Sequence, residues 1–371
     1  MRDTDVIRLA QQTFLAMKNP WNSVEKVYPQ AICAARRREK VHYVGVKNTA
    51  AIPVKLLGTL REEGYELHTL DRCSVNGRAV DMALQNPLTG RPMTGSSSGT
   101  AINVFLGIND LGIGTDGGGS VLAPAMSLQC CGFISPLLEA EHMKKYEKKS
   151  TDGLCFTPSL GFIARDLEVL GEAVKLGLGM CLCEEEDLEE KGDIVVICSD
   201  SLREKVQDCL GGPERSGICP AEGGAKHAGI RLETRKFPPL DSEREPLITF
   251  LREHLPMCDV VISHEKRIDV DGLGDSILGH FDRETRASQA KSGKQFIRVA
   301  NMAGATALCI PDGSLAGGFV LMCQSEPGKI RKLFETARRF PVIKDELLER
   351  YFRNMDAYFP CGVLEAELYG G

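Results

Sequence analysis

Apolar positions recur with helical spacing over residues 3–18, where Val6, Ile7, Leu9, Ala10, Phe14 and Leu15 share one face until Asn19-Pro20 ends the run. Similar patterns predict helices over 23–39, 53–64, 98–109, 167–179, 201–210, 241–254, 283–302, 327–340 and 344–357, with a further helix containing Pro124 after Ser120. Short β-branched and apolar runs predict strands over 41–47, 65–70, 111–114, 193–198, 225–232, 260–263, 307–311 and 318–323. Residues 71–85 fit neither period, and 86–92 and 154–162 read as loops. The charge-dense stretch 139–152 reads as a solvated insertion or surface helix, 187–191 as an acidic surface run, and the Gly/Pro-rich 211–224 as a mobile loop. Strands and helices alternate along the chain. That order predicts an α/β fold: a single mixed, central β-sheet covered by helices on both faces, in one domain spanning 1–371.

Composition narrows the function classes. The 371 residues are 43% hydrophobic and 26% charged, enough for a large core. The net charge of −6, with no strongly basic segment, weighs against nucleic-acid binding. No long uncharged apolar run and no secretory signal core stand out, so the expectation is no membrane association and a cytoplasmic location. The 14 cysteines are scattered without metal or redox spacing, as reduced thiols would be. The seven histidines form no ligand pair, so neither a metal nor a cofactor is expected. The basic triplet Arg36-Arg37-Arg38 reads as a solvated helix end.

The candidate chemistry sits in residues 95–124. Two small-residue clusters, Gly95-Ser96-Ser97-Ser98-Gly99-Thr100 and Gly114-Thr115-Asp116-Gly117-Gly118-Gly119-Ser120, flank a mostly apolar segment. Three successive glycines are costly in backbone entropy unless a turn needs them. One such turn converges backbone N–H groups into a nest for negative charge, here beside a serine. A phosphate-binding loop would need Gly-Lys-Ser/Thr, which neither cluster has. Upstream, Lys47 ends a predicted strand, where it is either solvated or held in a poorly solvated site with a lowered pKa.

Taken together these residues resemble the amidase signature family. Val44-Gly45-Val46-Lys47 is similar to its V-x-V-K strand, the first cluster to its G-G-S-S-G-G, and the second to its G-[ST]-D-x-G-G-S. The two serines lie 120 − 96 = 24 residues apart, as in the family. Weaker similarities at 86–92, 131–136, 160–166, 258–262 and 301–311 extend the resemblance over roughly 5–340. The resemblance implies N-terminal helices over 1–40, a catalytic core over 41–166, and the remaining sheet and covering helices over 167–371. It also implies a carboxylic amide hydrolase with a Ser-cisSer-Lys triad. Ser120 would be the nucleophile, Ser96 the bridging serine on a cis peptide, and Lys47 the base. Gly117, Gly118 and Gly119 would supply the oxyanion hole, and Thr94, Gly95 and Ser97 would contact substrate.

The expected partner is a small-molecule amide, with a homodimer allowed. The alternatives are a component of a tRNA-dependent amidotransferase and a catalytically silent relative. Three departures point to a rebuilt substrate pocket. The segment after Lys47 is short, Gly117 stands where Thr or Ile is frequent, and Leu122 replaces the arginine of the usual S-[IV]-R.

Overall fold

The computed structural model describes residues 3–35, 40–150, 153–180, 182, 193–211, 229–239, 243–275, 277, 281–341, 343 and 345–358. The acidic run 187–191, the loop 212–224 and the triplet 36–38 lie outside them.

Fifteen strands are assigned among the described residues: β1 Val24–Val27, β2 His42–Lys47, β3 Tyr65–Asp71, β4 Val80–Gln85, β5 Pro92–Thr94, β6 Leu111–Asp116, β7 Cys131–Ser135, β8 Lys148–Lys149, β9 Cys155–Phe156, β10 Ser159–Ala164, β11 Ile194–Cys198, β12 Ile230–Thr234, β13 Val260–Glu265, β14 Ala305–Pro311 and β15 Gly318–Gln324. Eleven of them form one mixed sheet in the order β1-β3-β2-β6-β10-β7-β14-β15-β13-β11-β12. Two small hairpins, β4-β5 and β8-β9, stand apart from it.

The sheet is apolar on both sides because its central strands are buried on both sides. Successive residues go to opposite cores: Ile134, Ile163, Ile197 and Val261 to one, Phe133, Phe162, Val196 and Val260 to the other. The first core is covered by the helices Ser98–Phe105, Leu122–Ser127 and Arg244–His254. The second is covered by Val54–Glu62, Leu167–Leu178, Arg203–Leu210 and Pro327–Ala337. This is the expected α/β arrangement of one mixed sheet between two helical layers.

Several local expectations are corrected. Residues 24–27 form an edge strand antiparallel to β3 instead of the first turns of a helix, and only Ala31–Ala35 is helical. Residues 159–164 form a central strand between β6 and β7 in place of a loop. All six of its residues are buried, so the segment shows no alternation to mark it. The expected helix over 283–302 stops at Ala290, and a 3-10 turn at Phe296–Arg298 follows. The stretch 139–152 holds a short helix, Ala140–Met143, and then enters the β8-β9 hairpin. The aperiodic stretch 71–85 supplies a 3-10 turn at Val75–Gly77 and strand β4. The ten described cysteines are free thiols. No helix among the described residues is long and apolar enough to cross a membrane.

Candidate active site

Two parallel neighbours, β2 and β6, end side by side, with Val46 opposite Ile113. Ligand sites in open α/β sheets form beyond such carboxyl ends. Lys47 is the last residue of β2, and β6 runs directly into the 117–120 loop. The first cluster lies between β5 and the helix Ser98–Phe105. Its turn is made at Gly95, with φ +70°, where a Cβ would stand 2.5 Å from Pro124 Cδ.

These elements place Lys47, Ser96 and Ser120 on one cleft of about 520 Å³. Lys47 Nζ donates to Ser96 Oγ at 2.7 Å and to Thr115 Oγ1 at 2.8 Å. Burial pushes the lysine pKa down to about 8, and the cation at Lys148 acts in the same direction; Cys73 and Asp116 oppose it. A low-dielectric site disfavours the ammonium, so a substantial neutral fraction exists near neutrality. The Ser120 hydroxyl makes no hydrogen bond among the described residues, so the polar chain is formed from Lys47 as far as Ser96. Catalytic contacts often tighten only around bound substrate.

No cis peptide bond occurs among the described residues, so the expectation of a cis bond at Ser96 is corrected. The left-handed turn at Gly95 redirects the chain instead. The two clusters are stitched by the Ser97 N–H, which donates to the Ser120 carbonyl at 3.1 Å.

Asp116, to which the sequence pattern assigns no role, shapes the glycine loop. Its buried carboxylate accepts the N–H groups of Gly119 at 2.7 Å, Val121 at 2.6 Å and Leu122 at 3.2 Å. Burial raises its pKa, and these backbone bonds oppose the rise. The Gly119 N–H is therefore turned inward. Gly117 and Gly118 line the cleft, and their N–H groups make no hydrogen bond among the described residues. They are the N–H groups of this loop that remain without a partner on the cleft side. Gly119 keeps φ +92°, with Ile297 O 3.0 Å from where a Cβ would be. At Gly117 a Cβ would meet the Phe156 ring at 2.4 Å, so the β8-β9 hairpin closes tightly over the loop. Thr94, Gly95 and Ser97, expected to contact substrate, are not among the residues lining the cleft. Thr94 and Ser97 are fully buried and Gly95 packs on Pro124, so they frame the site from behind.

Thr115 is a second residue, beside Asp116, whose role sequence reasoning missed. It stands inside the quoted motif, but only the fold shows that its hydroxyl shares Lys47 with Ser96.

No family model matches the sequence, and no curated protein does either. Solved structures do match. A glutamyl-tRNA(Gln) amidotransferase component from Thermotoga maritima superposes with a TM-score of 0.59 at 15% identity, over 92% of this chain and 95% of that one. A bacterial aryl acylamidase of the amidase signature enzymes gives 0.57 at 14% identity, over 97% and 95%. The fold is that of the amidase signature enzymes. An amidase family protein from Bacillus anthracis str. Ames gives 0.55 at 13% identity, over 87% and 84%. At such identities the likeness establishes the amidase signature fold and leaves the chemistry to be argued from the site.

Proposed function

We propose that this protein hydrolyses a linear carboxylic amide through a serine acyl-enzyme. The observation that carries this reading is the 2.7 Å contact between a buried, pKa-depressed Lys47 and Ser96 Oγ, on the same cleft as Ser120. A serine hydroxyl needs a proton acceptor to become a nucleophile. Neutral Lys47 takes the Ser96 proton while Ser96 Oγ takes that of Ser120, and Ser120 Oγ bonds to the amide carbonyl carbon. The oxyanion is held by the N–H groups of Gly117 and Gly118; losing one such donor typically costs about 2.7–4 kcal/mol. Collapse breaks the C–N bond, and the leaving amine takes its proton back from Lys47 by way of Ser96. Water, activated by the same relay, then releases the acid and frees Ser120. Thr115 fixes the Nζ so that it meets Ser96 in one orientation.

The test is covalent labelling by a fluorophosphonate, with ammonia or amine release measured beside it. Labelling at Ser120 that disappears in Ser120→Ala, together with amide hydrolysis by the purified chain alone, is the expected result. Unchanged labelling and release in Ser120→Ala would overturn the assignment. Activity that emerges only with added partner chains would favour a role within an amidotransferase assembly, with one component of which this chain shares its fold.

A further inference from the structure

We propose that the preferred amide carries a free carboxylate on its acyl part, and that Arg78 receives it; this substrate class rests on the amide-hydrolase reading. Arg78 lines the cleft that holds Lys47, Ser96 and Ser120, directly after the turn Val75–Gly77. Its Nε donates to Asp275 Oδ2 at 2.8 Å, with 34% of the arginine side chain exposed against 3% for the aspartate. Asp275 is fixed in turn, because its Oδ1 accepts the Ile277 N–H at 2.9 Å. Among the described residues, the two terminal nitrogens of Arg78 have no partner. A guanidinium bound through Nε keeps its Nη1–Nη2 edge, a planar fork that matches the two oxygens of a carboxylate.

The support for this fork is buried and rigid. Lys294 Nζ donates to the carbonyls of Ala79 at 3.2 Å and Gly274 at 3.4 Å, one residue beyond Arg78 and one before Asp275. It pairs with Asp269 at 2.6 Å, both side chains being almost wholly buried. Thus the two segments that carry Arg78 and its orienting carboxylate are pinned to one internal cation.

The charge around the cleft points the same way. Among the described residues that line it, Lys47, Arg78, Lys148, Lys149 and Arg244 are basic, and Asp275, which holds Arg78, is the one acid. The whole chain carries −6, so this concentration of cations is against its own average. Lys148 and Lys149 are exposed at the hairpin, where they would draw an anion in without fixing its orientation.

The experiment compares kcat/KM for the monoamides of succinic, glutaric and adipic acids with that for the diamides of the same length. Each diamide is the neutral counterpart of its monoamide. The expected result is that at least one monoamide exceeds its diamide about tenfold or more. Arg78→Ala then lowers the monoamide-to-diamide ratio roughly 10- to 100-fold, mainly through KM, the range expected for a charge-assisted hydrogen-bonded pair. Arg78→Lys recovers part of it, since it keeps the charge and loses the fork. Ratios near one in the wild type, or a ratio that Arg78→Ala leaves alone, overturn the proposal. A second readout separates it from the hydrolase reading: calorimetric titration of Ser120→Ala with the same monoamides, with and without Arg78→Ala. Binding that needs Arg78 supports the carboxylate site even if no turnover is ever seen. Absent or Arg78-independent binding overturns it.

Discussion

The 95–120 segment and the mouth of the cleft are built on opposite plans. The first is local: two clusters, one helix and one strand, close in sequence, pinned together by the Ser97–Ser120 backbone bond and by Asp116. The second is assembled from afar, with Arg78 from one turn, Lys148 and Lys149 from a hairpin, Arg244 from a helix and Asp275 from a late loop. A relay of protons needs ångström precision, which a short, rigid stretch supplies. Choice among substrates is a difference of affinities, so it can be reset one loop at a time. Under the proposed roles, bond breaking and substrate choice draw on separate parts of this chain.

Changes in the first region, and in Lys47, which reaches it from the end of β2, should strike turnover of every amide. Replacing Ser120 by Ala should lower kcat on the order of 10⁴- to 10⁶-fold for acidic and neutral amides alike, as steady-state amine release would show. An effect confined to one substrate class would break the contrast. Lys47→Met should cost about 10²- to 10⁴-fold in kcat, the range for losing a general base. In the wild type, kcat/KM should rise with pH through about 8, because only the neutral amine accepts the Ser96 proton. A rate that is flat from pH 6 to 9 would remove Lys47 from that role.

Thr115→Val is predicted to be milder, roughly 3- to 30-fold in kcat, with the rising limb of the pH profile moved to lower pH. The hydroxyl accepts from the ammonium, so losing it disfavours the charged form. A loss of rate without that displacement would mean that Thr115 serves packing alone. In the second region, the double change Lys148→Ala/Lys149→Ala should raise KM for anionic amides about two- to fivefold at low salt, and much less at 0.5 M salt, where exposed charges are screened. Equal effects on diamides would erase the division between the two regions.

The smallest effect is on stability. Folding lowers the Lys47 pKa from 10.5 to about 8, so between those values the unfolded chain binds more protons than the folded one. Stability therefore rises with pH across that window, and the penalty for holding the charged form is fully present below about 8. Relative to Lys47→Met, the wild type should gain roughly 2 kcal/mol between pH 7 and 10, read from denaturant melts in parallel. An identical pH dependence in the two proteins would count against a depressed lysine.

What the sequence makes legible follows the same division. The clusters at 95–100 and 114–120 are contiguous and carry residue types that only a demanding backbone retains, so they announce themselves. Lys47 is visible because it ends a β-branched run. The mouth has no contiguous signature: Arg78 sits in a stretch with no period, and Lys148-Lys149 in one that reads as solvated surface. The central strand β10 is missed because the cores on both faces of the sheet bury every residue of it, leaving no polar alternation. β1 is missed because four residues, Val-Glu-Lys-Val, suit a helix as well as an edge strand. The inward turn of the Gly119 N–H could not be read either, since it depends on which way the Asp116 carboxylate folds back.

The hydrogen bond from the Ser97 amide to the Ser120 carbonyl closes a ring of backbone around the helix Ser98–Phe105 and strand β6. Any lengthening or shortening of the chain inside that ring would have to bring both ends back to the same clasp. The spacing between the two serines is therefore a closure condition, and loop grafting intended to alter this protein should be attempted outside 97–120.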